Sequence, residues 1–379
     1  MLKSNRIRIV AWFIIIGVAA GTVPRGLRLM ASRGPHWLGL NNDPDYHYLV
    51  DSLHVARLKA SDHVDHPGTT VQLIGAAVIR IKHLVSGTGE LARDVLRRPE
   101  SYDDAISYTL LAIHALAVFA AGLIAFKATG NIFLMLLIQI GPYLSTSCLD
   151  SLARPKPESL LLSLSCLLGA VVLAFLWKRD SSRDLKTAVI FGILIVLALA
   201  TKITAAPLAI MPLLILSGRR GRLTYLGVTC LSFLFVLLPV IVGGNLSRFL
   251  GFILKLSTHT GLYGQGGAGL IDVTAYIAAL RDLARYERLL FLAVLYSTGL
   301  LVWGLVTADR VGATSDLIKS LSRGLVAVIV VFVLQIVIVA KHSLPHYLVP
   351  SLGLLGLCGA LTHLLQFLAF FGGLNGLST

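Results

Sequence analysis

Carboxylates are scarce in this chain: 19 Asp and Glu stand against 33 Lys and Arg in 379 residues. Charged residues of both signs make up only 14% of it, whereas 56% is hydrophobic. With a mean hydropathy of +0.80, that scarcity excludes an ordinary soluble globular protein. The four cysteines, Cys148, Cys166, Cys230 and Cys358, lack Cys-X-X-Cys spacing and histidine partners. They point to neither a zinc site nor a disulfide framework, but to buried thiols acting as small apolar groups. No Gly-Lys-Ser/Thr follows a glycine-rich stretch, so a nucleotide P-loop is excluded as well. Repeat periods, low-complexity tracts and a soluble domain are also lacking.

What the chain has is long apolar runs. Spans of roughly 17–25 residues are expected at 8–24, 105–127, 131–149, 158–177, 186–201, 203–217, 223–243, 289–307, 323–340 and 347–370, about ten in all. The expected fold class is therefore an all-α polytopic membrane protein, one transmembrane domain over residues 1–379. The run 203–217 is short and carries Pro207 and Pro212. The N-terminal run from Ile9 resembles a signal peptide, but without a convincing small-residue cleavage site it is expected to stay as the first helix.

The net charge of +14 would suggest nucleic acid in a soluble protein; here it fits anionic lipid and basic cytoplasmic loops, with no nucleic-acid partner. With the N-terminus inside, fourteen Lys and Arg fall in the cytoplasmic connections and four, Arg154, Lys156, Lys202 and Lys341, in the short outer ones. Two long loops, 25–104 and 244–288, then face outward. In the first, Val71, Ile74, Val78, Ile81 and Val85 recur at helical spacing and predict an amphipathic helix lying in the interface. Tyr46, Leu49, Leu53 and Ala56 form a weaker stripe of the same kind.

Four polar constellations interrupt the apolar pattern, all on the outer face. They are Asp43-Pro44-Asp45 with Asp65-His66-Pro67-Gly68; Arg154-Pro155-Lys156-Pro157-Glu158; Thr201-Lys202-Ile203-Thr204; and Lys341-His342 through His346-Tyr347. Each has a plain explanation. Asn, Asp and Pro around Asp43 and Asp45 favour a turn. Arg154, Lys156 and Lys202 suit snorkelling toward headgroups, His342 and His346 suit an interface, and Asp65 with His66 suits a helix cap before Pro67. Together, carboxylates that take a proton or bind a divalent cation would face cations able to hold a phosphate.

In order and sidedness these motifs resemble the GT-C class of integral-membrane glycosyltransferases, over most of the chain. The resemblance implies a polyprenyl-phosphate-linked sugar donor, a glycan, lipid or protein acceptor, and reaction on the extracytoplasmic face of a bacterial inner membrane. It implies Asp43 or Asp45 as the catalytic residue, with a divalent cation (Mg or Mn) as an option at the same pair. Arg154, Lys156, Lys202, Lys341, His342 and His346 would hold the donor phosphate, and Asp65, His66, Glu158, His259 and Tyr263 would support the site or the acceptor. The protein O-mannosyltransferase and aminoarabinose-transferase branch often has Asp-Glu and His-Pro-Pro where this chain has Asp-Pro-Asp and His-Pro-Gly. The Trp-Trp-Asp motif of oligosaccharyltransferase catalytic subunits is absent. The glycine-rich run from Thr258 to Gly267 reads either as a lid or acceptor element or as a plain linker. The rival class is a transporter or flippase of lipid-linked glycans, whose site would lie near the midplane on broken helices.

Overall fold

In the computed structural model, which describes residues 2–38, 45–62, 68–152, 154–178, 184–258, 273–311 and 316–375, every regular element is a helix. The first, α1 (Leu2–Arg33), runs through Pro24 and past its expected end, carrying Arg33 to the end of the bundle. Three helices follow, α2 (Asp45–Ala56), α3 (Thr69–Ser86) and α4 (Leu91–Arg97). Then α5 (Pro99–Thr129) starts earlier than expected, with Pro99 in its first turn, where a missing N–H costs nothing. The first long connection thus shrinks from 25–104 to the stretch between Arg33 and Pro99.

The two helices expected in this segment are present, with one correction to the buried face. α2 buries Leu49, Leu53 and Ala56 as its stripe requires. α3 buries Val71, Gly75, Ala76 and Ile79, whereas Ile81 and Val85, expected on the same face, are exposed. The buried face is chosen by close approach: a Cβ on Gly75 would lie 2.2 Å from Ser52 Oγ of α2. Hydrophobic spacing alone could not register that contact.

The remaining helices are α6 (Ile132–Ile140), α7 (Thr146–Ser151), α8 (Pro157–Lys178), α9 (Asp184–Thr201), α10 (Ile210–Ile215), α11 (Arg219–Val236), α12 (Leu238–Val242), α13 (Leu246–Thr258), α14 (Val273–Tyr286), α15 (Arg288–Val311), α16 (Asp316–Val339), α17 (Val349–Leu352) and α18 (Leu355–Asn375). Five of the helices, α1, α5, α8, α9 and α16, are long and apolar enough to cross a bilayer alone. Two bent pairs, Tyr276–Tyr286 with Arg288–Trp303 (100°) and Pro345–Leu352 with Leu355–Leu368 (44°), raise the number to seven. The chain is thus an all-α, multi-pass membrane protein in which five to seven spans meet that test among the described residues, so ten are not confirmed. Proline accounts for two of the differences. The run 131–149 breaks into α6, a 3-10 turn at Gly141–Leu144 containing Pro142, and α7. The run 203–217 becomes a 3-10 stretch, Ile203–Ala209, and the short α10.

Packing at the breaks relies on small residues, as expected where lipid supplies no hydrophobic drive between helices. A Cβ on Gly141 would come within 2.3 Å of Gly356 Cα, so the end of α6 and the start of α18 meet backbone to backbone. Cys148, Cys166 and Cys358 are buried as small apolar groups, whereas Cys230 is exposed on α11.

Long-range hydrogen bonds gather the polar helix ends at one end of the bundle. Arg33 Nη1 donates to the Leu152 carbonyl (2.9 Å), the Thr70 and Thr201 hydroxyls share a bond of 2.6 Å, and Glu287 Oε1 accepts from Ser145 Oγ at 3.0 Å. At the opposite end, Ser217 bonds Asp184 and Ser320 bonds the Leu176 carbonyl.

Candidate functional site

Asp45 opens α2, where a carboxylate complements the positive end of the helix. It is only 7% exposed. Its Oδ2 lies 2.9 Å from His36 Nδ1, and the other imidazole nitrogen faces Asp104 Oδ1 at 3.2 Å. The His36 backbone N–H donates to Glu100 Oε2 (3.0 Å), and the Tyr46 hydroxyl donates to the other Glu100 oxygen. An imidazole with a carboxylate on each nitrogen is suited to carry both protons. Burial alone would lower the His36 pKa. Against it stand the hydrogen bond to Asp45, the fields of Asp103 and Asp45, and the bond to Asp104, which together raise it to about 9. His36 is therefore an imidazolium at neutral pH. Asp45 Oδ1 and both Asp103 oxygens are buried without a hydrogen-bond partner among the described residues.

These groups border a cavity of about 460 Å³. Its polar wall comprises Arg33, His36, Asp45, Glu100, Asp104 and Arg154; Leu27, Met30, Leu38 and Tyr108 supply an apolar side. Arg33 is fixed by the carbonyls of Leu152 and Asp150 and stands 3.8 Å from the Asp150 carboxylate. Arg154 Nε is buried without a hydrogen-bond partner among the described residues. An acidic and a basic half thus share one concave space, the arrangement in which a charged substrate group can be held against a proton acceptor.

The other basic constellations assemble differently. Lys202, 1% exposed, donates to Glu158 Oε1 at 2.5 Å, and its Nζ sits 4.4 Å from the centre of the Tyr347 ring. His346 packs edge-on against Tyr347, 4.4 Å between ring centres. Gln335 Nε2 of α16 donates to the carbonyls of Thr204 (2.9 Å) and Tyr347 (2.8 Å), binding both chain breaks to one helix. Lys156 and Lys341 are buried too.

Of the residues singled out from sequence, Asp45 and Arg154 line the cavity, and Glu158, Lys202 and His346 form the second cluster. Asp43, Asp65, His66, His259 and Tyr263 lie outside the described residues, as does the side chain of His342. Among the described residues no group of three or more His, Cys, Asp or Glu is arranged to hold a metal ion. Sequence reasoning missed Arg33, His36, Glu100, Asp103 and Asp104. One signal was available: Glu100-Ser-Tyr-Asp103-Asp104 is an acidic run in a chain poor in carboxylates. Searches against protein-family models, curated proteins and solved structures found no match for the chain.

Proposed function

We propose that this protein is a membrane glycosyltransferase that moves a sugar from a polyprenyl-phosphate donor to a hydroxyl of a glycan, lipid or protein on the extracytoplasmic face. One observation carries the reading: Asp45 and Arg154 border the same cavity at the polar end of a helix bundle. A phosphate whose lipid tail stays in the bilayer meets its cations at that depth.

In this mechanism the acceptor oxygen attacks the anomeric carbon from the face opposite the phosphate. The new C–O bond forms as the bond to the phosphate oxygen breaks. The acceptor proton passes to the Asp45 carboxylate, and the electron pair leaves with polyprenyl phosphate, giving inversion. Arg154, with Arg33 beside it, stabilises the departing phosphate. Lys202 takes a different part from that expected of it: Glu158 already matches its charge, so it holds the chain breaks together instead.

The test is transfer by the purified protein in vesicles, across labelled polyprenyl-phosphate sugars, with and without chelator. Labelled acceptor and free polyprenyl phosphate are expected, with neither formed by Asp45→Asn. Donor that crosses the bilayer intact would identify a flippase instead. Wild-type transfer by Asp45→Asn would remove the proposed base.

A further inference from the structure

Building on the transferase reading, we infer that His36 is a positioning residue that clamps the Asp45 carboxylate between α2 and α5 and leaves Oδ1 as the oxygen that receives the acceptor proton. The two aspartate oxygens are treated unequally: Oδ2 is bound by His36 Nδ1, whereas Oδ1 is buried without a hydrogen-bond partner among the described residues. A carboxylate with one oxygen fixed and the other left unbonded, on a side chain that lines a cavity, is an oriented base, and orientation is worth much of a catalytic advantage.

The clamp is itself held from several sides. His36 begins a 3-10 turn, His36–Leu38, reached from α1 through Gly34 and Pro35. Gly34 has a φ of +74°, a left-handed conformation that glycine adopts without strain and that turns the chain back over α5. The Leu38 N–H closes the turn on the Pro35 carbonyl at 3.0 Å. From α5, Glu100 takes the His36 backbone N–H and Asp104 takes Nε2. The His36 side chain is 10% exposed, so these bonds are largely shielded from water.

Charge supplies the reason for a histidine here. Glu100, Asp103 and Asp104 of α5 face Asp45 of α2, four carboxyl groups around one imidazole, with Arg33 and Arg154 across the cavity. Without a cation between them, the acidic end of α5 would repel the aspartate that opens α2. His36 keeps the base close to α5 and fixes which way it points, acting on the reaction through Asp45.

Two measurements on the full-length protein test this separately from the transferase reading. The first is carbodiimide modification of Asp45, read by peptide mass spectrometry. It should rise several-fold in His36→Phe, which keeps the ring volume and removes both hydrogen bonds, and return toward wild type in His36→Gln. The second is transfer kinetics. His36→Phe should lower kcat about 10²-fold, the scale of a misplaced catalytic group, with donor KM nearly unchanged, and added imidazole should restore rate to His36→Ala. Unchanged labelling of Asp45 in a His36→Phe protein that melts like wild type would overturn the clamp. So would wild-type kcat in that variant. If the wild-type protein transfers no sugar, the transferase reading fails alone and the labelling still decides the clamp.

Discussion

At one end of the same bundle, Lys202 and Glu158 close on each other at 2.5 Å beneath Tyr347, while Arg33, His36, Asp45 and Arg154 stand around a cavity of about 460 Å³. Both groups are acidic and basic residues brought from distant parts of the chain, and both sit at helix ends. They differ in where the unused capacity lies: Glu158 Oε2 is also without a hydrogen-bond partner among the described residues, but Glu158 does not line the cavity. In the first, the cation is spent on its neighbour, and the cluster joins α8, the break after α9 and the break after α16. In the second, Asp45 Oδ1 and Arg154 Nε keep unused hydrogen-bonding capacity next to open space. A buried ion pair is weak evidence for function because it is also a way to tolerate charge in a low-dielectric interior. Unused capacity beside a cavity is the stronger sign, and it selects the Asp45 cluster.

The comparison breaks most sharply on two isosteric substitutions. Asp45→Asn should cut sugar transfer by about 10²–10⁴-fold, the range of a lost general base, with a melting temperature close to wild type. Glu158→Gln should do the reverse, destabilising the fold by about 3–5 kcal/mol by removing the carboxylate charge that Glu158 sets against the buried Lys202 ammonium. Thermal melts in detergent alongside transfer rates measure both. If Glu158→Gln lost activity but not stability, the two clusters would have been assigned the wrong way round.

A double variant sharpens the structural side. Lys202→Met added to Glu158→Gln removes the stranded charge, so the pair should melt well above Glu158→Gln alone. A smaller effect is expected at Arg154. Arg154→Ala removes a charge-assisted hydrogen bond worth about 1.5–3 kcal/mol, which should appear mainly as a donor KM raised about 10–100-fold. An unchanged KM would place the phosphate elsewhere on the cavity wall.

How far these clusters could be read from sequence depended on range. The α2 stripe through Leu49, Leu53 and Ala56 was legible because one helix face decides it. Asp45 stood out because carboxylates are rare here. The pairing of Lys202 with Glu158 joins residues 44 apart, and no local pattern encodes it. His36 and Arg33 were hidden for another reason: the apolar run stops near residue 24, although α1 continues past Pro24 to Arg33. The broken helices were half legible, with Pro142, Pro207 and Pro212 marking where they stop but not how the pieces pack.

The smallest expected effect is on pH dependence, and it again separates the clusters. Desolvation opposes charge on His36, but the bonds and fields of Asp45, Asp103 and Asp104 raise its pKa from 6.5 to about 9. A group raised on folding contributes stability fully below its unfolded pKa and loses that contribution as pH rises through the folded one. Wild-type melting temperature should therefore decline between about pH 6.5 and about pH 9 through this residue. His36→Phe has no proton to lose there, so its curve should run flatter over the same window. Glu158→Gln leaves the His36 cluster intact, so it should keep the wild-type slope despite its lower baseline. Parallel curves for wild type and His36→Phe would mean that the imidazole is not held as a cation, and that the carboxylates of α2 and α5 are kept together by something else.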